Sequence, residues 1–292
     1  MSSLFRSVKN YFSLVKFSHT VFAMPFAIIG FALAVATTDN VFSLKLLLLV
    51  ILCMIFARTA AMGFNRLADN RFDALNPRTK NREIPTGKIS TKTAAFFVIV
   101  NAVLFIITTG FINKLTLFLS PVALLIILGY TLSKRITYLC HFILGLGLSL
   151  APIGAYISVT NSFALIPVIY SLIVITWVSG FDIIYALQDD DFDRSNQLYS
   201  IPSLTGRKRA LIISILVHFI TFILVITAGY LEKGGPIFWI GAFIFTALLI
   251  YQHIIVKHND ISRVTLSFAT TNGIASILFS IFVIIDLYIR YH

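Results

Sequence analysis

Charge is scarce in this sequence. Only 12 % of its 292 residues are Asp, Glu, Lys or Arg, about half the share usual in soluble domains. A water-soluble surface cannot be made from so little charge, which excludes an ordinary globular domain. Acidic residues are the scarcest class, 12 against 23 Lys and Arg, for a net charge of +11. Cysteine is nearly absent. Cys53 and Cys140 both fall in apolar stretches, where they act as small hydrophobes. No disulfide framework or cysteine zinc site can be built from them.

What the chain has instead is apolar length: 58 % of it is hydrophobic and its mean hydropathy is +0.91. A membrane-crossing helix needs about 20 mostly apolar residues. Nine such stretches can be counted, at 15–36, 42–64, 94–112, 114–132, 137–158, 162–187, 209–230, 236–256 and 267–289. Lipid offers backbone groups no partners, and these stretches are too long for barrel strands, so helices are expected throughout. The fold class is thus all-α, a polytopic membrane protein with nine transmembrane helices in one bundle, forming a single domain over 1–292. Ala34-Val35-Ala36 could pass for a signal-peptidase site, but the run before it is long, contains Pro25 and leads into further spans. It reads as a retained first helix.

The basic residues are not spread evenly. With a cytoplasmic N-terminus, 18 of the 23 fall on the inner side, four outside (Lys45, Lys114, Lys233, Arg290), and Arg58 lies within a span. The positive-inside rule accounts for this pattern and leaves little for nucleic acid; the expected partner of the surface is the lipid bilayer. The expected location is the inner, cytoplasmic membrane, with the N-terminus and the long charged loops on the cytoplasmic side.

That rule does not cover carboxylates, yet nine of the 12 acids lie on or near the same side. Most sit in two inner loops of about 28 and 21 residues, after the second and sixth spans. Long charged loops in a compact bundle are usually functional. The first begins Asn65-x-x-x-Asp69-x-x-x-Asp73, whose spacing puts all three side chains on one helical face, about 6 Å apart along the axis. The second, "YALQDDDFDRSN", repeats the spacing as Asp189-x-x-x-Asp193. Like charges at that spacing repel unless cations lie between them. Oxygen-only ligands of this kind suit a hard cation such as Mg²⁺. An EF-hand loop is excluded, since position six is Arg194 and position twelve Ser200.

The two acid pairs are offset by 120 residues, and each precedes a similar segment, Ile84-Pro-Thr-Gly-Lys88 and Ile201-Pro-Ser-Leu-Thr-Gly-Arg-Lys208. An internal repeat of this kind sets two equivalent helix ends across a pseudo-symmetric cavity. Bases surround the acids: Arg78 and Arg82 in the first loop, Lys134 and Arg135 at the end of the fourth span, and Arg194 beside the second pair. Carboxylates, Mg²⁺ and Lys/Arg together describe a polyphosphate clamp. Its substrate should carry a diphosphate on a body suited to a membrane.

These residues resemble the UbiA superfamily of intramembrane aromatic prenyltransferases, over the whole chain. The resemblance rests on the N-x-x-x-D-x-x-x-D motif at Asn65, Asp69 and Asp73, the second aspartate motif "YALQDDDFD" with Asp189 and Asp193, and Tyr130-Thr-Leu-Ser-Lys134 as a Y-x-x-x-K motif. The wording "KFSHTVFAMPFAIIGFALA" and "RTAAMGFNRLADNRFDALNPRTKNREIPTGKIS" is most similar to the bacterial 4-hydroxybenzoate polyprenyltransferase-like branch. The resemblance implies Mg²⁺-dependent transfer of a polyprenyl group from polyprenyl diphosphate to an aromatic acceptor in quinone biosynthesis. The departure is in helix one, where 4-hydroxybenzoate enzymes carry RFDKP and this chain reads Lys16-Phe-Ser-His19-Thr. It leaves open 4-hydroxybenzoate, a futalosine-type precursor or a dihydroxynaphthoate as acceptor. Isoprenoid length and oligomeric state are also left open.

By this reading Asp69, Asp73, Asp189 and Asp193 hold metal, with Asn65 as a neutral ligand or a partner of the diphosphate. Lys134, Arg78, Arg82 and Tyr130, with Arg135 and Arg194 behind them, bind diphosphate oxygens. Asp190 and Asp191 are expected in solvent, Glu83 and Asp260 in structural or surface roles, and His218 and His253 as satisfied or interfacial histidines. Lys16 and His19 stand where they could meet an acceptor carboxylate. Arg58 and Asp182 are charges inside spans, each seven residues before a motif residue and so about 10.5 Å deeper. They are expected to interact across the bundle, directly or through water, as the floor of the site. An ion-coupled transporter is the rival reading, but carriers place their acids near the midplane, and here only Asp182 lies clearly deep. A structural membrane protein would leave the duplicated acidic spacing without a reason.

Overall fold

The computed structural model describes residues 22–38 and 40–291, all helix and connecting loops apart from an isolated backbone bridge between Lys257 and Asp260. Among the described residues, eight helices are long and apolar enough to cross a membrane. They are α2 (Leu44–Ala68), α4 (Thr91–Gly110), α5 (Lys114–Ser133), α6 (Cys140–Thr160), α7 (Leu165–Ala186), α10 (Arg207–Leu231), α11 (Pro236–Ile255) and α12 (Asn272–Tyr291), the last entered through a π-helical turn at Leu266–Thr271. Of the expected first span, the described part is the shorter helix α1 (Met24–Thr37). Three short helices, α3 (Asn70–Leu75), α8 (Asp190–Ser195) and α9 (Ile201–Thr205), lie in the two charged loops.

Local chemistry sets several of the boundaries. The hydroxyls of Ser43 and Ser90 cap α2 and α4 by accepting from Leu46 and Thr93 backbone nitrogens, and Asn113 with Thr116 forms a capping box on α5. Asn161 ends α6 in the left-handed region, which asparagine tolerates.

The bundle is wound around α7. Trp177, Tyr170, Ile173 and Ile183 of this helix are fully buried, and it packs on α6 and α10 along its length. Trp177 stacks in a ring cluster with Phe26 of α1, Phe181 and Phe245 of α11, at centroid distances of 5.3, 5.1 and 5.9 Å. Its indole N–H donates to Asn272 Oδ1 at 3.0 Å. Asn272 Nδ2 donates to Ser267 and Phe268 carbonyls left over by the π turn. A buried amide thus satisfies an irregular backbone stretch and anchors the central helix to α12. The outer faces of α4 and α5, with Phe96, Ile99, Phe118 and Leu125 exposed, present apolar side chains where lipid would lie.

Both acid pairs ride on helical turns that continue their spans. Asp69 ends α2 and Asp73 lies in α3, but the hydrogen-bond ladder passes through, with Asp69 N on Asn65 O (2.9 Å) and Asp73 N on Asp69 O (2.8 Å). After α7, Asp193 N bonds Asp189 O at 2.7 Å. The four-residue spacing thus acts as expected. One expectation is corrected: Asp190 is not solvated. It is buried and receives Arg207 Nε and Nη2, each at 2.8 Å, which ties α8 to the start of α10. Asp191 beside it is exposed. His218 Nδ1 and His253 Nε2 meet at 2.8 Å, and among the described residues His253 Nδ1 is buried without a hydrogen-bond partner.

Candidate active site

At the motif-bearing end a cavity of about 260 Å³ opens between α2, α5, α6, α7 and the two loops. Asn65, Asp69, Asp73, Arg78, Arg82, Tyr130, Lys134, Arg135, Asp189 and Asp193 all line it. The sequence spacing placed these residues at helix ends, and the tertiary fold brings the ends together. Arg194 is exposed and does not line the cavity, which removes it from the expected set. Lys16 and His19 lie outside the described residues.

Each motif carboxylate faces a base of its own. Arg135 Nη2 donates to Asp69 Oδ1 at 3.0 Å, Arg82 Nη1 to Asp73 Oδ1 at 2.6 Å, and Lys134 Nζ lies 2.7 Å from Asp193 Oδ1. Arg78 grips both oxygens of Asp189, with Nε on Oδ1 at 3.0 Å and Nη2 on Oδ2. Asn65 Nδ2 donates to Asp69 Oδ2 at 3.1 Å, so the amide is tied to the first pair. These contacts answer the repulsion that four-residue spacing creates.

Burial decides the proton affinities. It lifts Asp69 and Asp193 above the ordinary carboxylate value, against the opposing pull of Arg135 and Lys134. Burial acts the same way on Asp189, but the hydrogen bonds from Arg78 and Asn76 overcome it and hold that carboxyl low.

The donor set would suit a hard cation. All its ligating atoms are oxygens, as Mg²⁺ prefers, and Asp73 Oδ2 is buried with no hydrogen-bond partner. Among the described residues no three Asp, Glu, His or Cys side chains already converge on one point, because each carboxylate is drawn to its own base. The cavity as a whole is positive: six bases (Arg58, Arg66, Arg78, Arg82, Lys134, Arg135) line it against five acids (Asp69, Asp73, Asp182, Asp189, Asp193). Among the described residues, the buried Nε atoms of Arg58 and Arg66 have no hydrogen-bond partner. Unanswered guanidinium in a closed cavity is the condition for holding an anion.

The direct pair expected between Arg58 and Asp182 is not formed. Both line the cavity, but Asp182 Oδ2 meets His141 Nδ1 at 2.7 Å. Asp182 meets His141 directly because partner choice depends on how α6 and α7 face each other. His141 was missed, and so were Asn76, which donates to Asp189 Oδ1 at 3.0 Å, and the cavity role of Arg66. Arg66 adjoins Asn65 and had been read as topological charge; nothing in the spacing marks His141.

Arg58, Tyr130 and Leu148 also line a second cavity of about 170 Å³, whose other walls, such as Val50, Ala57, Phe105 and Ala151, are almost wholly apolar. A charged chamber therefore abuts an apolar one.

A membrane-crossing helical bundle with one charge-paired cavity opening onto an apolar chamber is the framework of an intramembrane enzyme for amphiphilic substrates. The chain belongs to the UbiA prenyltransferase family, whose sequence profile matches residues 23–279, and it is a prenyltransferase. It is 29 % identical over 233 residues to 4-hydroxybenzoate octaprenyltransferase of Aliivibrio fischeri (strain MJ11), covering 80 % of this chain and 81 % of that protein. The enzyme of the same name from Aliivibrio salmonicida (strain LFI1238) is 30 % identical over 82 % of this chain and 84 % of its own length. Among solved structures, a UbiA homologue from Aeropyrum pernix K1 superposes with a TM-score of 0.79 at 29 % identity, over 93 % of this chain and 98 % of that one. A UbiA homologue from Archaeoglobus fulgidus, bound to GPP and Mg²⁺, shares the fold with a TM-score of 0.70 at 21 % identity, over 96 % and 99 %.

Proposed function

We propose that the protein transfers a polyprenyl group from polyprenyl diphosphate to an aromatic acceptor of the 4-hydroxybenzoate type, in an Mg²⁺-dependent step of respiratory quinone biosynthesis. The observation that carries this is the junction of the two cavities. A diphosphate fits among Arg78, Arg82, Lys134 and Arg135, and its isoprenoid tail fits the apolar chamber on the other side of Arg58 and Tyr130. Asp69, Asp73, Asp189, Asp193 and Asn65 would hold the metal, and Mg²⁺ when bound supplies Lewis-acid stabilisation of the departing diphosphate.

The remaining work belongs to the chain. Arg78, Arg82, Lys134 and Arg135, which now pair with the four carboxylates, would serve as donors to diphosphate oxygens once those carboxylates hold metal. Tyr130 lies at the boundary where the allylic carbon would sit. The apolar chamber keeps water from the allylic cation. Arg58 and Asp182, deeper in the charged cavity, face the space left for the ring.

The names of the Aliivibrio relatives support 4-hydroxybenzoate as acceptor. The Lys16-Phe-Ser-His19 wording departs from that of 4-hydroxybenzoate enzymes, and the second reading is the same chemistry on a futalosine-type or dihydroxynaphthoate menaquinone precursor. One assay separates these: purified protein with Mg²⁺, a labelled polyprenyl diphosphate and all three acceptors. Transfer to 4-hydroxybenzoate supports the proposal, transfer only to another acceptor selects the second reading, and no transfer rejects both. The cell location we propose is the inner membrane with the charged cavity facing the cytoplasm, supported by the 18 basic residues that a cytoplasmic N-terminus assigns to that side by sequence.

A further inference from the structure

Among the described residues, one acid of the cavity is paired with no Lys or Arg. Asp182 lies on α7, two helical turns below Asp189, and its side chain remains 21 % exposed toward the cavity it lines. Oδ2 is engaged by His141, and among the described residues nothing donates to Oδ1.

The state of His141 follows from its other nitrogen. The ring is buried, and Nε2 accepts the backbone N–H of Ile201 at 3.3 Å. An imidazole nitrogen that accepts a hydrogen bond carries no proton. The single ring proton is therefore on Nδ1, 2.7 Å from Asp182 Oδ2, and the ring donates it to a carboxylate. Ser179, one turn before Asp182, donates to the His141 carbonyl at 3.2 Å, so the first turn of α6 is clamped to α7 at this level. The main chain of the second charged loop thus sets the tautomer, and the tautomer orients Asp182 with Oδ2 engaged and, among the described residues, no donor on Oδ1.

Aromatic prenylation needs such a group. The C–O bond of the allylic diphosphate breaks and its electron pair leaves with diphosphate. A ring carbon of the acceptor then supplies the electrons of the new C–C bond. The C–H bond at that carbon must break next, returning its electrons to the ring and passing a proton to a base. Asp69, Asp73, Asp189 and Asp193 are paired with Arg135, Arg82, Arg78 and Lys134 and by the reading above would hold metal at the diphosphate end. Resting on the prenyl-transfer reading above, we propose that Asp182 is the base that takes the ring proton through its free Oδ1, and that His141 is a positioning residue that holds Asp182 in place.

The test uses the full-length protein in detergent with Mg²⁺, polyprenyl diphosphate and an aromatic acceptor, either ordinary or deuterated at the carbon that is prenylated. In Asp182→Asn, transfer should fall about 100-fold or more, the loss typical of a removed general base. A primary deuterium isotope effect absent from the wild type should emerge, because proton removal becomes rate-limiting. Affinity for inorganic diphosphate with Mg²⁺ should be unchanged. His141→Ala should lower kcat less and show the same isotope effect, and Asp182→Glu should recover part of the rate. An Asp182→Asn enzyme of wild-type rate overturns the proposal. So does a loss of rate without an isotope effect, or one accompanied by loss of diphosphate binding. A wild-type protein that binds diphosphate but prenylates no aromatic ring overturns this assignment together with the reading beneath it, whereas normal transfer with an indifferent Asp182 overturns this assignment alone.

Discussion

Arg78 and Asp189 are 111 residues apart in sequence and form a two-point contact, Nε to Oδ1 at 3.0 Å and Nη2 to Oδ2. Asn76 adds a third hydrogen bond to the same carboxylate at 3.0 Å. The contact joins the loop after α2 to the end of α7, and so joins the two halves of the internal repeat. Arg78→Ala should leave Asp189 with the Asn76 hydrogen bond but no paired cation on it, lower stability by about 1–2 kcal/mol, and weaken binding of inorganic diphosphate. Arg78→Lys should restore charge but not the forked contact, giving intermediate values. Thermal unfolding and calorimetric titration check both.

The carboxylate set makes a sharper demand. Asp69→Asn, Asp73→Asn, Asp189→Asn and Asp193→Asn should each cut turnover by orders of magnitude while the protein still folds, and EDTA should abolish wild-type activity. Asp191→Asn, at an exposed position, should be mild. Near-full activity of any of the four at saturating Mg²⁺ would remove that residue from the metal site.

Asp190 separates stability from chemistry. Asp190 is buried, its forked contact with Arg207 is partly buried, and it lies outside the cavity lining. Asp190→Asn should lower the unfolding temperature, with a loss of about 1–3 kcal/mol, and leave the Mg²⁺ dependence of turnover in place. A shifted Mg²⁺ requirement would place Asp190 in the metal site instead.

At the opposite end of the bundle Glu232 is buried against Tyr170, with Asp286 and Arg290 beside it. Burial pushes its carboxyl up to about 7, against the pull of Tyr170 and Arg290. A carboxyl raised above its unfolded value of 4.5 contributes stability that is complete below that value and lost as pH rises through about 7. The unfolding temperature should therefore decline between about pH 5 and pH 8, by the equivalent of at most about 3 kcal/mol. Glu232→Gln should flatten that slope. An unchanged slope in the variant would show that other groups govern it.

Orientation can be read with single cysteines. After Cys53 and Cys140, both buried, are replaced, a cysteine at exposed Ser195 should react with an impermeant reagent from the cytoplasmic side and one at exposed Asn40 from the other. The reverse pattern would invert the proposed topology.

The sequence by itself determined whatever depends on neighbours along the chain. Apolar length located the crossing helices, since lipid allows a spanning backbone no other regular form. The spacing of Asn65, Asp69 and Asp73, and of Asp189 and Asp193, put each set on one face, because helical period is a local property. The depth of Arg58 and Asp182 followed from the same arithmetic. Which base meets which acid was decided only by the tertiary structure. That choice depends on the rotation and axial offset of packed helices, and these are set by contacts no period reports. A Cβ on Gly145 would stand 2.6 Å from the Ile175 carbonyl, so only glycine lets α6 approach α7 this closely. That approach brings His141, rather than Arg58, to Asp182.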